Sequence, residues 1–150
     1  MLRSSTQVET VPKTVLIADD DTGTRFVLSR TLERLGYRVV GAEDGAEVAD
    51  LMATHAFDLL VVDLYMPGLN GFGVLRRVRQ ADSGFLPVPR TPSTVPVLVV
   101  SGESEPASIA NAKARGAADY LVKPIDIDVF ADTVKRLLSI APKSPARAQP

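Results

Sequence analysis

Four short apolar runs in this chain each end in a polar group that can do chemistry. Val15-Leu16-Ile17-Ala18 runs into Asp19-Asp20-Asp21, Leu59-Leu60-Val61-Val62 into Asp63, Val97-Leu98-Val99-Val100 into Ser101, and Tyr120-Leu121-Val122 into Lys123-Pro124. If these runs are parallel strands, the four endings gather at one edge of a sheet, where doubly wound α/β folds bind their ligands. Carboxylates crowded together there repel one another and resist ionisation unless a cation neutralises them. An all-oxygen donor set suits a hard ion that keeps some of its waters, so the pocket implies Mg²⁺. With such an ion holding a phosphoryl oxygen beside it, Asp63 is a candidate nucleophile that would form an acyl phosphate. Lys123 would then bring a compact positive charge to the phosphoryl oxygens, and the Ser101 hydroxyl would donate a hydrogen bond to another of them.

Singly, each of these groups has a plainer reading. An acidic tripeptide is most often a solvated turn or a helix cap, and a lone lysine is ordinary surface. Ser101-Gly102 reads as a loop start and Tyr120 as a half-buried strand residue. The joint order of the four endings carries the inference.

The elements that must position these groups are legible as five βα units, in which short β-branched runs alternate with segments of helical period. Leu28, Leu32 and Leu35 lie at i, i+4, i+7 on a first helix, and Gly36 is placed to let its end turn in a left-handed conformation. Tyr37 to Gly41 reads as the second strand. Asp44 and Glu47 have capping-box spacing, opening a second helix with Val48, Leu51 and Met52 on one face and its end before Phe57. Phe72, Leu75 and Val78 mark a third helix, Pro106 and Gly116 bracket a fourth, and a fifth follows Asp126 with Phe130, Val134, Leu137 and Leu138 inward. Residues 1–13 are expected to form a flexible arm, 14–140 the folded domain and 141–150 a flexible tail. Ala81 to Pro96 carries Pro87, Pro89, Pro92 and Pro96 and is long for a helix-to-strand connection, so an extended surface loop is expected there.

Composition narrows the function classes. At 150 residues and 45% hydrophobic content the chain holds one domain with a real core. A net charge of −1 gives no long-range attraction to nucleic acid or anionic membrane. With no cysteine, disulfides, thiolate metal sites and thiol nucleophiles are all excluded. No apolar run reaches membrane-spanning length and no secretion signal is evident, so a cytoplasmic location is expected.

The ordered set closely resembles the receiver domain of two-component response regulators, from about Thr14 to Ile140. The likeness rests on Val-Leu-Ile-Ala-Asp19-Asp20-Asp21, Val-Val-Asp63-Leu-Tyr-Met-Pro-Gly-Leu-Asn-Gly, Val-Leu-Val-Val-Ser101-Gly and Gly116-Ala-Ala-Asp-Tyr120-Leu-Val-Lys123-Pro124. It implies a flavodoxin-like, doubly wound, five-stranded parallel sheet of order 2-1-3-4-5. It makes Asp63 the phosphoacceptor, with Asp20, Asp63 and the Tyr65 main-chain carbonyl binding Mg²⁺ directly and Asp19 acting through a water. Ser101 and Tyr120 match the switch pair of that family, and the Lys123-Pro124 bond is expected to be cis. The phosphoryl group would come from a histidine kinase or a histidine phosphotransfer protein. A downstream protein would read the face made by the fourth helix, fifth strand and fifth helix. The implied protein is a stand-alone signalling module that assists only its own phosphorylation and dephosphorylation, without direct nucleic-acid contact or membrane insertion.

Tyr65, two residues beyond Asp63, and Glu103, two beyond Ser101, occupy positions that vary in the family and tune phosphoryl lifetime. His55, the only histidine, reads as a surface or capping residue, and Gly71 and Gly73 do not make a nucleotide loop. An enzyme alternative rests on Asp20-Asp21-Thr22-Gly23-Thr24, preceded by Asp19, which resembles the opening of haloacid-dehalogenase-like phosphatases. That reading would place the nucleophile in the first acidic segment and needs an acid pair, Asp126 and Asp128, at a strand end after Lys123.

Overall fold

The structure is a computed structural model, and it describes residues 11–68, 71–80 and 89–140, with the side chain of Ile140 outside the description. The expected tail, 141–150, and residues 1–10 of the expected arm lie outside the described residues. Strands β1 (Thr14–Ala18), β2 (Arg38–Ala42), β3 (Leu59–Val62), β4 (Val97–Ser101) and β5 (Asp119–Val122) form one sheet in the order β2-β1-β3-β4-β5. Every neighbouring pair is parallel. Helices α1 (Thr22–Arg34), α2 (Gly45–Thr54), α3 (Gly71–Arg79), α4 (Pro106–Ala114) and α5 (Ile127–Ile140) connect or follow the strands in turn.

The period-two alternation of side chains along a strand divides the core in two. Val15, Ile17, Leu59, Val61, Leu98 and Val100 face α1 and α5, packing on Leu28, Leu32, Phe130 and Val134. Leu16, Leu60, Val62, Val97 and Val99 face the other side, where α2, α3 and α4 supply Val48, Met52, Leu75, Val78 and Ala112. Strands β1, β3 and β4 are buried on both faces, which is why their sequences are continuous apolar runs rather than alternating ones. Because β2 lies on one side of β1 and β3 on the other, the strand order reverses between β1 and β3. Asp19 and Asp63 stand at the carboxyl ends of these two strands.

Four local readings differ in the structure. Leu35 is the C-cap of α1 and is 40% exposed rather than inward, because the helix unwinds after Arg34. Gly36, at φ +95°, carries that exit: its N–H donates to the Glu33 carbonyl and the Tyr37 N–H to the Leu32 carbonyl. Tyr37 is thereby engaged in the helix exit, so β2 begins one residue later than its sequence indicates. At α2, the Asp44 carboxylate caps the Glu47 N–H as its spacing implies, but the returning Glu47 carboxylate accepts from Glu43 N–H instead of from Asp44.

The fourth difference concerns the proline-rich connection. Its residues 81–88 lie outside the description, but the remainder is no extended surface loop. Thr91 is buried, donating its hydroxyl to the His55 carbonyl at 2.5 Å and accepting from the Phe57 N–H at 3.2 Å. Thr91 N–H donates to the Met52 carbonyl, so the segment satisfies main-chain acceptors left open at the end of α2. Val95 is buried in the core beside β4.

Candidate functional site: an acid pocket at the strand ends

Asp19, Asp20 and Asp63 each bring a carboxylate oxygen to within 4.8 Å of the others. Asp19 and Asp63 are buried and Asp20 is exposed, so the cluster opens to solvent on one side. The β1–β2 ladder extends one residue past β1, with the Asp19 N–H donating to the Ala42 carbonyl, which fixes the Asp19 main chain. Asp63 is fixed in the same manner by its N–H to the Ala18 carbonyl. The acidic tripeptide divides its labour: Asp21 is the N-cap of α1, accepting from the Thr24 N–H at 2.8 Å and the Thr24 hydroxyl at 2.6 Å. Those Thr24 bonds hold the Asp21 carboxyl below the usual carboxylate range.

Lys123 reaches this cluster from the end of β5. Its ammonium donates to Asp19 Oδ2 at 2.8 Å and to Asp63 Oδ2 at 2.9 Å. Burial alone would lower the Lys123 pKa, but the hydrogen bonds and charges of Asp19 and Asp63 outweigh it and raise the value above that of a free lysine. The Lys123–Pro124 peptide bond is cis. The remaining oxygens of the two carboxylates accept main-chain donors, Asp19 Oδ1 from Asp21 N–H at 2.9 Å and Asp63 Oδ1 from Tyr65 N–H at 3.1 Å. Two aspartates are thus held in place by one ammonium group, which offsets only one of their two negative charges.

Ser101 closes β4 fully buried, and its Oγ accepts from the Glu103 N–H at 3.2 Å. Tyr120 is also buried and donates its hydroxyl to the Glu103 carbonyl at 2.7 Å. Burial pushes the Tyr120 pKa up, and the charges of Glu103, Tyr65 and Asp63 add to that rise against an opposing hydrogen bond to Ser101. Glu103 is the hub of this side: one carboxylate oxygen accepts from the Glu105 N–H at 3.1 Å and the other from the Tyr65 hydroxyl at 3.5 Å. The two positions flanking the pocket, Tyr65 after β3 and Glu103 after β4, therefore touch each other.

Two further residues shape the pocket without having been singled out by residue type. A Cβ on Gly71 would come within 2.7 Å of the Asp63 carbonyl oxygen and of Leu64 Cα, so only glycine lets the start of α3 lie against the Asp63 main chain. The Gly71 N–H donates to the Leu64 carbonyl at 2.9 Å. Arg25, on α1, donates Nη1 to the Asp19 carbonyl at 2.6 Å. The signal for Gly71 was the Pro-Gly-Leu-Asn-Gly run after Asp63; nothing in the spacing marked Arg25.

Other candidates stay apart from the chemistry. His55 is the C-cap of α2, with its ring stacked on Phe57 at 5.4 Å between centroids. Asp126 accepts from the N–H groups of Asp128 and Val129, so it serves the first turn of α5, and the geometry does not favour the phosphatase alternative. Among the described residues no helix is long and apolar enough to cross a membrane. The donor set fits a hard divalent ion: three convergent carboxylates, one of them open to water, with a cation already drawn onto two of them.

The family model for the response regulator receiver domain matches residues 15–135. The DNA-binding transcriptional regulator NtrC of Escherichia coli is 35% identical over 125 residues, which is 83% of this chain and 24% of NtrC. The chain thus spans about a quarter of that relative's length. Protein PilH of Pseudomonas aeruginosa is 31% identical over 126 residues, covering 83% of this chain and 97% of PilH. Among solved structures, Vibrio cholerae chemotaxis protein CheY4 superposes with a TM-score of 0.74 at 30% identity, covering 85% of this chain and 99% of that one. The receiver domain of Francisella response regulator 1452 gives a TM-score of 0.75 at 28% identity, covering 85% and 97%.

Proposed function

Because this chain belongs to the response regulator receiver family, we propose that Asp63 accepts a phosphoryl group from a phosphohistidine of a histidine kinase or phosphotransfer protein. One Asp63 carboxylate oxygen forms the new bond to phosphorus while the bond from phosphorus to the imidazole nitrogen breaks, leaving neutral histidine on the donor. Receiver domains are signalling modules rather than turnover enzymes, and they bind Mg²⁺ at their acidic pocket. Here Asp20, Asp63 and the Tyr65 carbonyl would hold the ion directly and Asp19 would hold it through a water. The ion, when bound, supplies positive charge to the transferring oxygens and to the crowded carboxylates.

The observation that carries this reading is the Lys123 ammonium bridging Asp19 and Asp63 at 2.8 and 2.9 Å. An amine held beside the nucleophilic carboxylate is placed to meet the phosphoryl oxygens without a large rearrangement. Ser101 would donate its hydroxyl to another phosphoryl oxygen. That changes its relation to the Glu103 N–H, and through Glu103 the change reaches the Tyr120 hydroxyl. The exposed face of α4, β5 and α5 would then differ between the two states, and a protein partner that prefers one of them reads the signal. We place this exchange in the cytoplasm.

The test is incubation with Mg²⁺ and a small phosphodonor, followed by intact-mass measurement and mapping of the modified residue. The wild type should gain one phosphoryl group, Asp63→Asn none, and chelation of the metal should prevent the gain. An adduct that persists in Asp63→Asn, or one that maps to Asp19 or Asp20, would sink the proposal.

A further inference from the structure

Arg25 lies one turn into α1, six residues after Asp19, and its donor goes to a main-chain acceptor although carboxylates are near. The β1–β2 ladder pairs residues as far as Ala18 with Ala42, and the Asp19 N–H adds a last bond to the Ala42 carbonyl at 3.1 Å. In a parallel ladder the Asp19 carbonyl would next accept an N–H from beyond Ala42. The chain leaves the sheet there to reach Asp44, the N-cap of α2. The guanidinium of Arg25 fills the missing rung, with Nη1 2.6 Å from the Asp19 oxygen.

Gly41 on the edge strand makes room for this arm. A Cβ built on Gly41 would stand 3.6 Å from Arg25 Cδ and 3.7 Å from Nε, so the arginine stem runs where a larger strand side chain would lie. Gly41 is not among the glycines of positive φ, so its backbone does not require glycine. Glycine inside a strand weakens it unless another group must approach closely. Arg25 is that group.

The Asp19 carbonyl and the Asp20 nitrogen share one rigid peptide plane, so whatever fixes the oxygen fixes the direction in which Asp20 leaves the strand. We propose that Arg25 is a positioning residue for the acid pocket, holding the Asp19-Asp20 peptide so that both carboxylates converge with Asp63 and set the affinity for a divalent cation. This rests on the receiver reading above, in which those carboxylates hold Mg²⁺.

The full chain is titrated with Mg²⁺ in a calorimeter as wild type, Arg25→Met, Arg25→Lys and Gly41→Val, with thermal midpoints and Asp63 phosphorylation rates measured alongside. Arg25→Met should weaken Mg²⁺ binding about tenfold, in the range seen when groups behind metal ligands are removed. Its phosphorylation rate should recover at saturating Mg²⁺, and Arg25→Lys, which retains one donor, should regain part of the affinity. Gly41→Val suits a strand but crowds the arginine stem, so it should weaken Mg²⁺ binding without lowering the midpoint. Arg25→Met binding Mg²⁺ as the wild type does, or losing rate that saturating Mg²⁺ does not restore, overturns this inference alone. A wild type that neither binds Mg²⁺ nor takes a phosphoryl group on Asp63 overturns the functional reading and this inference with it.

Discussion

At the carboxyl end of the sheet an ion-pair cluster, Lys123 on Asp19 and Asp63, stands beside the side-chain bonds of Arg25 and Tyr120 to carbonyls, while at the amino end the contacts of Arg79 and Thr91 run from side chains to main-chain carbonyls without an ion pair among the described residues. There Arg79, in the last turn of α3, donates to the carbonyls of Ser93 and Val95 at 2.8 Å each and of Gly116 at 2.6 Å. Burial lowers the Arg79 pKa. Gly116, at φ +112°, has no Cβ to clash with the Arg79 stem, which lies within 2.7 Å of where one would be. Arg79 and Thr91 together bind α2, α3, the approach to β4 and the approach to β5 into one unit. The first end is an electrostatic balance that another cation can enter, and the second is a set of directional bonds that nothing soluble can replace.

The largest effect that separates the two should come from Lys123→Met. It leaves the buried Asp19 and Asp63 carboxylates facing each other without a cation. Breaking a well-buried ion pair costs roughly 3–5 kcal/mol, and with Lys123 a quarter exposed we expect about 3 kcal/mol in metal-free buffer. Mg²⁺ should restore most of that stability by binding the folded state alone. The sign with pH follows from the raised Lys123 pKa: its contribution is complete below the unfolded lysine value of about 10.4 and is lost as pH climbs through the higher folded value. Thermal midpoints of wild type and variant should therefore converge in strongly alkaline, metal-free buffer. A difference that Mg²⁺ does not reduce would break the description of this end as a balance of charge.

Arg79→Met is the matching change at the other end. Three carbonyl acceptors lose a charged donor, and we expect about 2 kcal/mol of lost stability in denaturant unfolding. Mg²⁺ should raise the midpoints of wild type and variant by equal amounts, and the phosphoryl adduct on Asp63 should form normally once the variant is folded. Rescue of Arg79→Met by Mg²⁺ would couple the two ends and erase the contrast.

The contrast also explains what could be read without a structure. The strands and the pocket were legible because their signals are residue types in a fixed order: apolar runs, three of them buried on both faces, each closed by an acid, a hydroxyl or an amine. The helix exits at Gly36 and Gly116 were legible for a related reason, since a left-handed exit selects glycine. The amino end was not legible because its acceptors are main-chain carbonyls, which every residue carries. Arg79 looks like one more arginine in a basic last turn beside Arg76 and Arg77, and Thr91 like one more polar residue in a proline-rich connection. Leu35 misled for another reason: the heptad-like spacing with Leu28 and Leu32 continued past the point where the helix unwinds.

The smallest expected effect tests whether the charged end also screens its product. Tyr65 is 56% exposed, and its hydroxyl meets Glu103 Oε1 at 3.5 Å across the gap between the ends of β3 and β4. A bond that long contributes little energy, so any protection of a phosphorylated Asp63 should come from the bulk of the ring rather than from the hydroxyl. Tyr65→Asn should shorten the phosphoryl half-life about fivefold, equal to roughly 1 kcal/mol of barrier, whereas Tyr65→Phe should stay within about twofold of wild type. Glu103→Gln keeps the acceptor at that position and removes the charge, so a longer half-life there would assign part of the hydrolysis to water ordered by the carboxylate. Equal half-lives in all three variants and the wild type would leave the pocket mouth without a role in lifetime. A Phe variant as short-lived as the Asn variant would move the effect from the ring to the contact with Glu103, joining lifetime to the same residue whose carbonyl holds Tyr120.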